Sequence, residues 1–407
     1  MSISDHIVEH AALGVDPTNA ARAAKLEKIM RVVSSAQFNN PVVNALYSGA
    51  TLSAVSAQPA GNTWISLAGL SASTLASTCN LLGAVYTSDG LSMVPVSSTQ
   101  PAGGYAYSGV VEVCTYGTTI TLGLTDSSLT VMVSVDDGTG EKFVQSTPYT
   151  YVGTGGTQYL TISGMAASVV KTVRVYTCSK VRFIGYSGVF KPFAPDTANV
   201  VSMVVTGDSY TAGSFGDGAS IPVYSWAAHA FKCLGIRSGY AAGIGGTGYT
   251  NPGSKWKCYA HIGDVTNVNP DLAVFAHGYN DYTLPQATVV ADAVQCWQYV
   301  LNACPNTFVI VMGMWSGTTG PSATLLGMEN ALASAVAGMN DPRIIWVPQA
   351  TDPSGPWVYG AAGAGSAATF IGADGTHPTT AGALYLGRDR ASPGIRKALR
   401  TLADRFV

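Results

Sequence analysis

The chain has 407 residues, with 21 Lys and Arg against 23 Asp and Glu, so charged residues make up 11% of it, where an average soluble domain carries about 25%. Apolar residues reach 47%, with 20 tyrosines and 46 glycines, which excludes a disordered chain. A net charge of −2 leaves no basic footprint for nucleic acid.

No apolar run approaches the ~20 residues that span a bilayer; Ile310–Trp315 and Leu272–Ala276 are among the longest. The first residues, MSISDHIVEHAALGVDP, carry acids and neither a basic n-region nor a long apolar h-region, so they do not read as a secretory signal. The seven cysteines show no CxxC or Cys/His spacing that would suggest a metal. They read mostly as buried thiols, since free Cys behaves as a small hydrophobe.

Residues 1–34 form an N-terminal helical arm. Asp16 caps it and Pro17 occupies its first turn. Ala21, Ala24, Leu26, Ile29, Met30 and Val33 then make an apolar stripe. The arm either packs on its own domain or serves for attachment or oligomerisation.

Residues 35–192 have the grammar of strands. Val111–Tyr116 and Thr119–Leu124 flank Gly117, and Thr130–Val135 ends at the turn Asp136-Asp137-Gly138. Tyr159–Ser163 and Lys171–Tyr176 follow at similar spacing. Short strands at 8–12-residue intervals indicate a β-sandwich, jelly-roll-like. A Pro-punctuated linker at 193–199 leads into residues 200–407, where strands at Val200–Val205, Asp271–Ala276, Phe308–Met314 and Ile344–Val347 alternate with helices. That alternation predicts a parallel α/β sheet covered on both faces, with ligands at the carboxyl ends of the strands.

Two polar blocks fall at those ends and a third precedes the last helix. Thr206-Gly207-Asp208-Ser209-Tyr210 follows the first strand and Gly278-Tyr279-Asn280-Asp281 the second, while Asp374-Gly375-Thr376-His377 precedes the last helix. A Ser between strand and helix can present its hydroxyl at the top of the sheet. A carboxylate three residues before a His can lock the imidazole tautomer. Each block alone is also an ordinary turn. Ala242–Gly248 additionally fits G-x-G-x-x-G, but Asn251-Pro252-Gly253 stops a helix from opening there, which leaves a dinucleotide without a seat.

Taken together and in this order, the blocks resemble the SGNH (GDSL-like) hydrolase superfamily over about 200–407. The resemblance implies a flavodoxin-like parallel sheet with helices on both faces, no metal and no cofactor. It implies Ser209 as nucleophile, His377 as general base and Asp374 as its orienting acid. The oxyanion hole it implies is the Ser209 N–H, the Gly246 N–H (with Gly245 as the alternative) and the Asn280 side chain. Tyr210 stands where the family often has Leu.

A β-sandwich ahead of such a domain resembles two-domain carbohydrate esterases, which implies removal of O-acetyl or other small acyl groups from a polysaccharide. Among loop aromatics, Tyr279 and Trp315 are the candidate sugar contacts, and Tyr249, Trp256 and Trp357 also lie in or beside loops. The competing readings are another activity of the superfamily (lipase, thioesterase or acyl transferase) and a non-enzymatic carbohydrate-binding or structural protein. A polysaccharide target places the action outside the cell or on its surface. A phage tail component, attached or oligomerised through residues 1–34, reconciles that with the absent signal.

Overall fold

The computed structural model describes residues 17–36, 46–60, 65–66, 79–82, 85–87, 90–92, 106–125, 128–152, 156–177, 182–190, 200–216, 222–253, 256–361 and 363–406. The chain divides into two compact units. The linker expected at 193–199 lies outside the described residues.

The first unit, drawn from the described residues between 46 and 190, is an antiparallel curled sheet. Its centre is one continuous strand, Ala106–Thr125. The two strands expected around Gly117 are therefore one, because both halves find partners. Val110–Thr115 pairs with Lys171–Tyr176, and Ile120–Thr125 pairs with Thr157–Ile162. Alternate residues Val113, Val131, Val133, Val135, Val173 and Val175 face one apolar core, as a period of two requires.

The second unit holds the described residues of 17–36 and 200–406. Its sheet is parallel, and its spatial order runs Ser238–Gly243, Ser202–Gly207, Leu272–Ala276, Phe308–Met312 and Ile344–Val347. The Leu272–Ala276 and Phe308–Met312 strands are buried at every residue, which is why they read as unbroken apolar runs. Helices at Trp226–Leu234, Gln286–Ala303, Ala323–Gly338 and Ser392–Ala403 cover the sheet. Ser225 caps the first of these by accepting from Ala228 N, and Gly235 ends it at φ 68°.

The helix Pro17–Ser35 belongs to this unit. Leu26, Ile29, Val32 and Val33 enter its core beside Leu399 and Leu402, and each such burial contributes about 1.5–3 kcal/mol. Lys25 and Lys28 both reach the Asp271 carboxylate, at 3.2 and 3.3 Å. Arg396 donates to the carbonyls of Val33 and Cys233. Leu26, Ile29, Met30 and Val33 of the arm's apolar stripe are thus spent on its own unit, while Ala21 and Ala24 are exposed. Among the described residues no helix is long and apolar enough to cross a membrane, and no cluster of His, Cys, Asp or Glu could hold a metal ion. Cys233, Cys258, Cys296 and Cys304 are buried free thiols, and Cys114 is a half-buried one.

Candidate active site

Ser209 stands two residues past the Ser202–Gly207 strand, which lies between Ser238–Gly243 and Leu272–Ala276. Its Oγ lies 2.9 Å from His377 Nε2, and His377 Nδ1 lies 2.6 Å from Asp374 Oδ2. The acid and the base share one tight loop. Asp374 Oδ1 accepts the Thr376 and His377 N–H groups, both at 3.0 Å. The Gly372 N–H donates to the His377 carbonyl at 2.9 Å. Desolvation pulls the Asp374 carboxyl upward, but the His377 side chain and the two N–H groups outweigh it and hold the group below the ordinary carboxylate value. An anionic Asp374 in contact with Nδ1 fixes a proton on that nitrogen, leaving Nε2 as acceptor toward Ser209.

The loop Ile244–Gly253 lies alongside. A Cβ built on Gly245 would sit 3.9 Å from the Ser209 Cβ, so the peptide that carries the Gly246 N–H passes beside the serine. Gly246 itself adopts φ 75°, a conformation that favours glycine. Among the described residues, neither the Ser209 nor the Gly246 N–H donates a hydrogen bond. Asn280 Nδ2 donates to the Thr247 carbonyl at 2.8 Å and lies 3.5 Å from Asp208 Oδ2. Its backbone carbonyl accepts from Asn251 Nδ2 at 2.9 Å, so both its side chain and its backbone are tied to the loop Ile244–Gly253.

Asp281 is the loop's anchor. Its carboxylate accepts the N–H groups of Tyr249, Thr250 and Asn251 at 2.6, 3.1 and 2.8 Å. It packs so closely that a Cβ on Gly248 would fall 2.1 Å from its Oδ2.

Asp208 has a different environment. It is fully buried, and desolvation, with a lesser push from Asp281, raises its carboxyl from 3.8 to about 7 against the Tyr210 N–H that favours the anion. Between those two values the folded chain keeps a proton on Asp208 that the unfolded chain has released, so this group makes stability fall as pH rises across that window. Asp208→Asn is expected to flatten that slope and to raise the melting temperature most above about pH 7, as read by thermal unfolding of both proteins from about pH 4 to about pH 8. Parallel curves for the two proteins would contradict it.

Tyr210 packs against the loop that carries His377, a contact the sequence did not disclose. It is 1% exposed, its hydroxyl donates to the Thr376 carbonyl, and its ring lies 5.9 Å from that of His377 and 6.4 Å from that of Trp357. The expected substrate contacts separate. Tyr279 is half-buried, with its ring 6.0 Å from that of Tyr210. Trp315 is not at the mouth: at 4% exposure it packs edge-on against Trp226 in the core, as the apolar strand end that carries it dictates. Trp357 and Tyr249 are also core residues, whereas Trp256 is half-buried. Tyr359 is exposed, at 63%. Its loop is joined to 316–319 through Trp357 Nε1 to the Ser316 carbonyl and Thr319 N–H to the Gly360 carbonyl, and 318 is joined to the Gly375 carbonyl beside Asp374.

Among the described residues, the other histidines lie deeper. His277 Nε2 meets Thr206 Oγ1 at 3.0 Å, and burial, aided by His261, drives the His277 imidazole well toward its neutral form. His261 Nδ1 pairs with Asp264 Oδ2 at 3.1 Å. His229 is held neutral by burial and by Lys232 and Arg388, its pKa falling to about 3.

Residues 205–384 match the GDSL-like lipase/acylhydrolase family. The match covers less than half of the chain and includes both Ser209 and His377. No curated protein sequence matches the chain. Solved structures resemble it across both units. A carbohydrate esterase family 2 enzyme with a carbohydrate binding domain, from Corynascus thermopiles (Myceliophthora fergusii), is 18% identical at a TM-score of 0.54, over 80% of this chain and 100% of that one. An acetyl xylan esterase from the rumen bacterium Butyrivibrio proteoclasticus is 15% identical at 0.56, over 85% and 100%. A salicylyl-acyltransferase from a tetracycline biosynthetic pathway is 13% identical at 0.54, over 85% and 98%. At these identities the likeness is one of fold: a GDSL-like α/β domain preceded by an antiparallel β domain.

Proposed function

We propose that the protein is a serine esterase that removes acetyl or similarly small acyl groups from polysaccharide hydroxyls. The observation that carries this reading is the hydrogen-bonded row Asp374–His377–Ser209, lying within the stretch that matches the acylhydrolase family. His377 Nε2 takes the Ser209 proton as Oγ attacks the ester carbonyl. Asp374 keeps the other ring nitrogen protonated and supports the imidazolium. The negative charge on the carbonyl oxygen falls to the N–H groups of Ser209 and Gly246 and to Asn280 Nδ2. Loss of one such donor costs about 2.7–4 kcal/mol in known cases. Collapse expels the sugar hydroxyl with the proton from His377. Water, deprotonated by His377, then frees the acid from the acyl-serine.

Three features support a small acyl group on a carbohydrate. The loops after Trp315 and Trp357 are built of Gly, Ser, Thr and Ala rather than an apolar lid. Tyr359 and Tyr279 offer rings beside them, and the fold is shared with carbohydrate esterases. Acetate release across a panel of acetylated xylan, mannan and pectin is the test, with octanoyl and thioester substrates in parallel. Faster turnover of the long-chain or thioester substrates would refute the assignment. The fold shared with an acyltransferase supports a second reading, transfer to an acceptor alcohol. It would show as ester product in place of free acetate when acceptor is added. Tyr359→Ala is expected to raise KM for the preferred acetylated polymer about 3- to 10-fold, the worth of one stacked ring. The kcat for a small aryl acetate should stay unchanged.

A further inference from the structure

Glycine recurs in the loops around Ser209, and at Gly207, Gly216 and Gly248 packing requires it. A Cβ at those positions would lie 2.1 Å from Thr211 Oγ1, 2.5 Å from Asp374 Oδ1 and 2.1 Å from Asp281 Oδ2, respectively. At Gly246, Gly278 and Gly375 the backbone requires it, with φ of 75°, 116° and 70°. Gly245 meets neither requirement. Its φ lies outside the positive range that favours glycine. Among the described residues, a Cβ built on it comes within 4 Å of the Ser209 Cβ alone, at 3.9 Å. Gly245 is exposed and Ser209 half-buried, so a side chain at 245 would stand in open space beside the serine.

A glycine leaves the unfolded chain more freedom than alanine does, and so costs stability wherever alanine would fit. At 245 the chain bears that cost one peptide away from the Gly246 N–H. The loop that carries His377 offers no comparable room. A Cβ on Gly317 would lie 3.0 Å from the Gly375 carbonyl oxygen and 3.2 Å from Tyr279 Oη, and the Tyr279 ring lies 6.0 Å from that of Tyr210. An ester carries two substituents on its carbonyl carbon. When the acyl group is small, the alcohol holds the bulk and has to extend into solvent. The exposed space over Gly245 can take that bulk, and the space filled by Tyr279 cannot.

We propose that Gly245 is a specificity-determining residue: the side chain it lacks leaves the room beside Ser209 that a bulky, ring-shaped alcohol such as a pyranose occupies. The inference rests on the esterase reading of this site and adds where the alcohol lies. The test compares the parent with Gly245→Ala and Gly245→Val on methyl acetate, cyclohexyl acetate and methyl butyrate. In Gly245→Val the ratio of kcat/KM for methyl acetate to that for cyclohexyl acetate should rise about tenfold, and in Gly245→Ala about threefold, as a crowded pocket rejects one or a few extra carbons. The ratio for methyl acetate over methyl butyrate should stay as in the parent. Gly245→Ala should melt at or above the parent's temperature, because the added methyl meets no close neighbour. If Gly245→Val does not fold, Gly245→Ala decides. The proposal is overturned if the cyclohexyl ratio keeps the parent's value, as it would if the change only damaged the oxyanion hole and slowed both acetates alike. It is also overturned if methyl butyrate is the ester rejected, or if the parent cleaves neither acetate. A parent that cleaves cyclohexyl acetate but no acetylated polysaccharide would sink the polysaccharide reading and leave the ratio to decide the role of Gly245.

Discussion

Ser209→Ala is expected to lower kcat for an activated acetate ester by about 10⁴-fold or more, as loss of a serine nucleophile does when the serine acts with its base as a unit. The melting temperature should stay within a few degrees, because among the described residues the Ser209 hydroxyl is tied to His377 alone. The geometry makes a second, linked expectation. Asp374 meets His377 Nδ1 at 2.6 Å and also accepts two backbone N–H groups of its own loop. Asp374→Asn presents an amide to a ring nitrogen that must stay protonated, which turns the imidazole to the wrong tautomer and costs about 10⁴-fold in known triads. Combining the two changes should cost little more than Ser209→Ala alone, since residues that act together are non-additive. Steady-state kinetics of the two single variants and the double variant check this. Turnover of Ser209→Ala within tenfold of the parent would remove Ser209 from the reaction.

The largest effect on stability is expected at Glu329. This side chain is fully buried on the Ala323–Gly338 helix. Its Oε2 accepts the N–H groups of Met314 and Ala350 at 2.7 and 3.1 Å. Its Oε1 accepts those of Gln349 and Thr351 at 3.0 and 2.9 Å, with the Thr351 hydroxyl at 2.7 Å. One carboxylate thereby joins the carboxyl ends of the neighbouring strands Phe308–Met312 and Ile344–Val347, and the Met314 side leads into the loop 315–318 that borders Asp374. Glu329→Leu strands four backbone donors and a hydroxyl at about 1–3 kcal/mol each, comparable with the ~5–15 kcal/mol that holds a domain together, so the variant should not fold. Glu329→Gln keeps one oxygen and turns an amide toward two N–H groups. A loss of about 3 kcal/mol or more, or roughly 6–12 °C in melting temperature, is expected. A Glu329→Gln melting curve that overlays the parent's would show that the clamp is dispensable.

Nothing in the sequence marked Glu329. A lone Glu in a helix reads as a solvated charge, and its five donors come from segments 15 to 22 residues away. Tyr210 and Tyr359 escaped for a related reason: a ring's place at a mouth or in a core depends on what packs over it. The same blindness moved Trp315 into the core, where Trp226 covers it. The strand Ser238–Gly243 was also illegible. Its sequence, SGYAAG, has poor strand propensity, and its glycines are there for contact. A Cβ at Gly239 would lie 2.4 Å from the Phe231 ring, and one at Gly243 would lie 2.0 Å from the Ala212 N.

Other features were written in local patterns. The unbroken apolar runs at Leu272–Ala276 and Phe308–Met312 sufficed for a buried parallel sheet, because strands covered on both faces need no alternation. The Ser209 and Asn280 blocks carry their own turn chemistry, with Gly and Asp at strand ends, so their place at the carboxyl edge followed from the chain. Valine alternation likewise announced the antiparallel unit. What tertiary structure decided is distance and exposure. It set Ser209 against His377 across 168 residues of chain, raised the Asp208 carboxyl by burying it, and brought the bare backbone of Gly245 beside Ser209. Periodicity and turn preference act between neighbours along the chain, whereas burial, desolvation and contact belong to segments that meet only on folding.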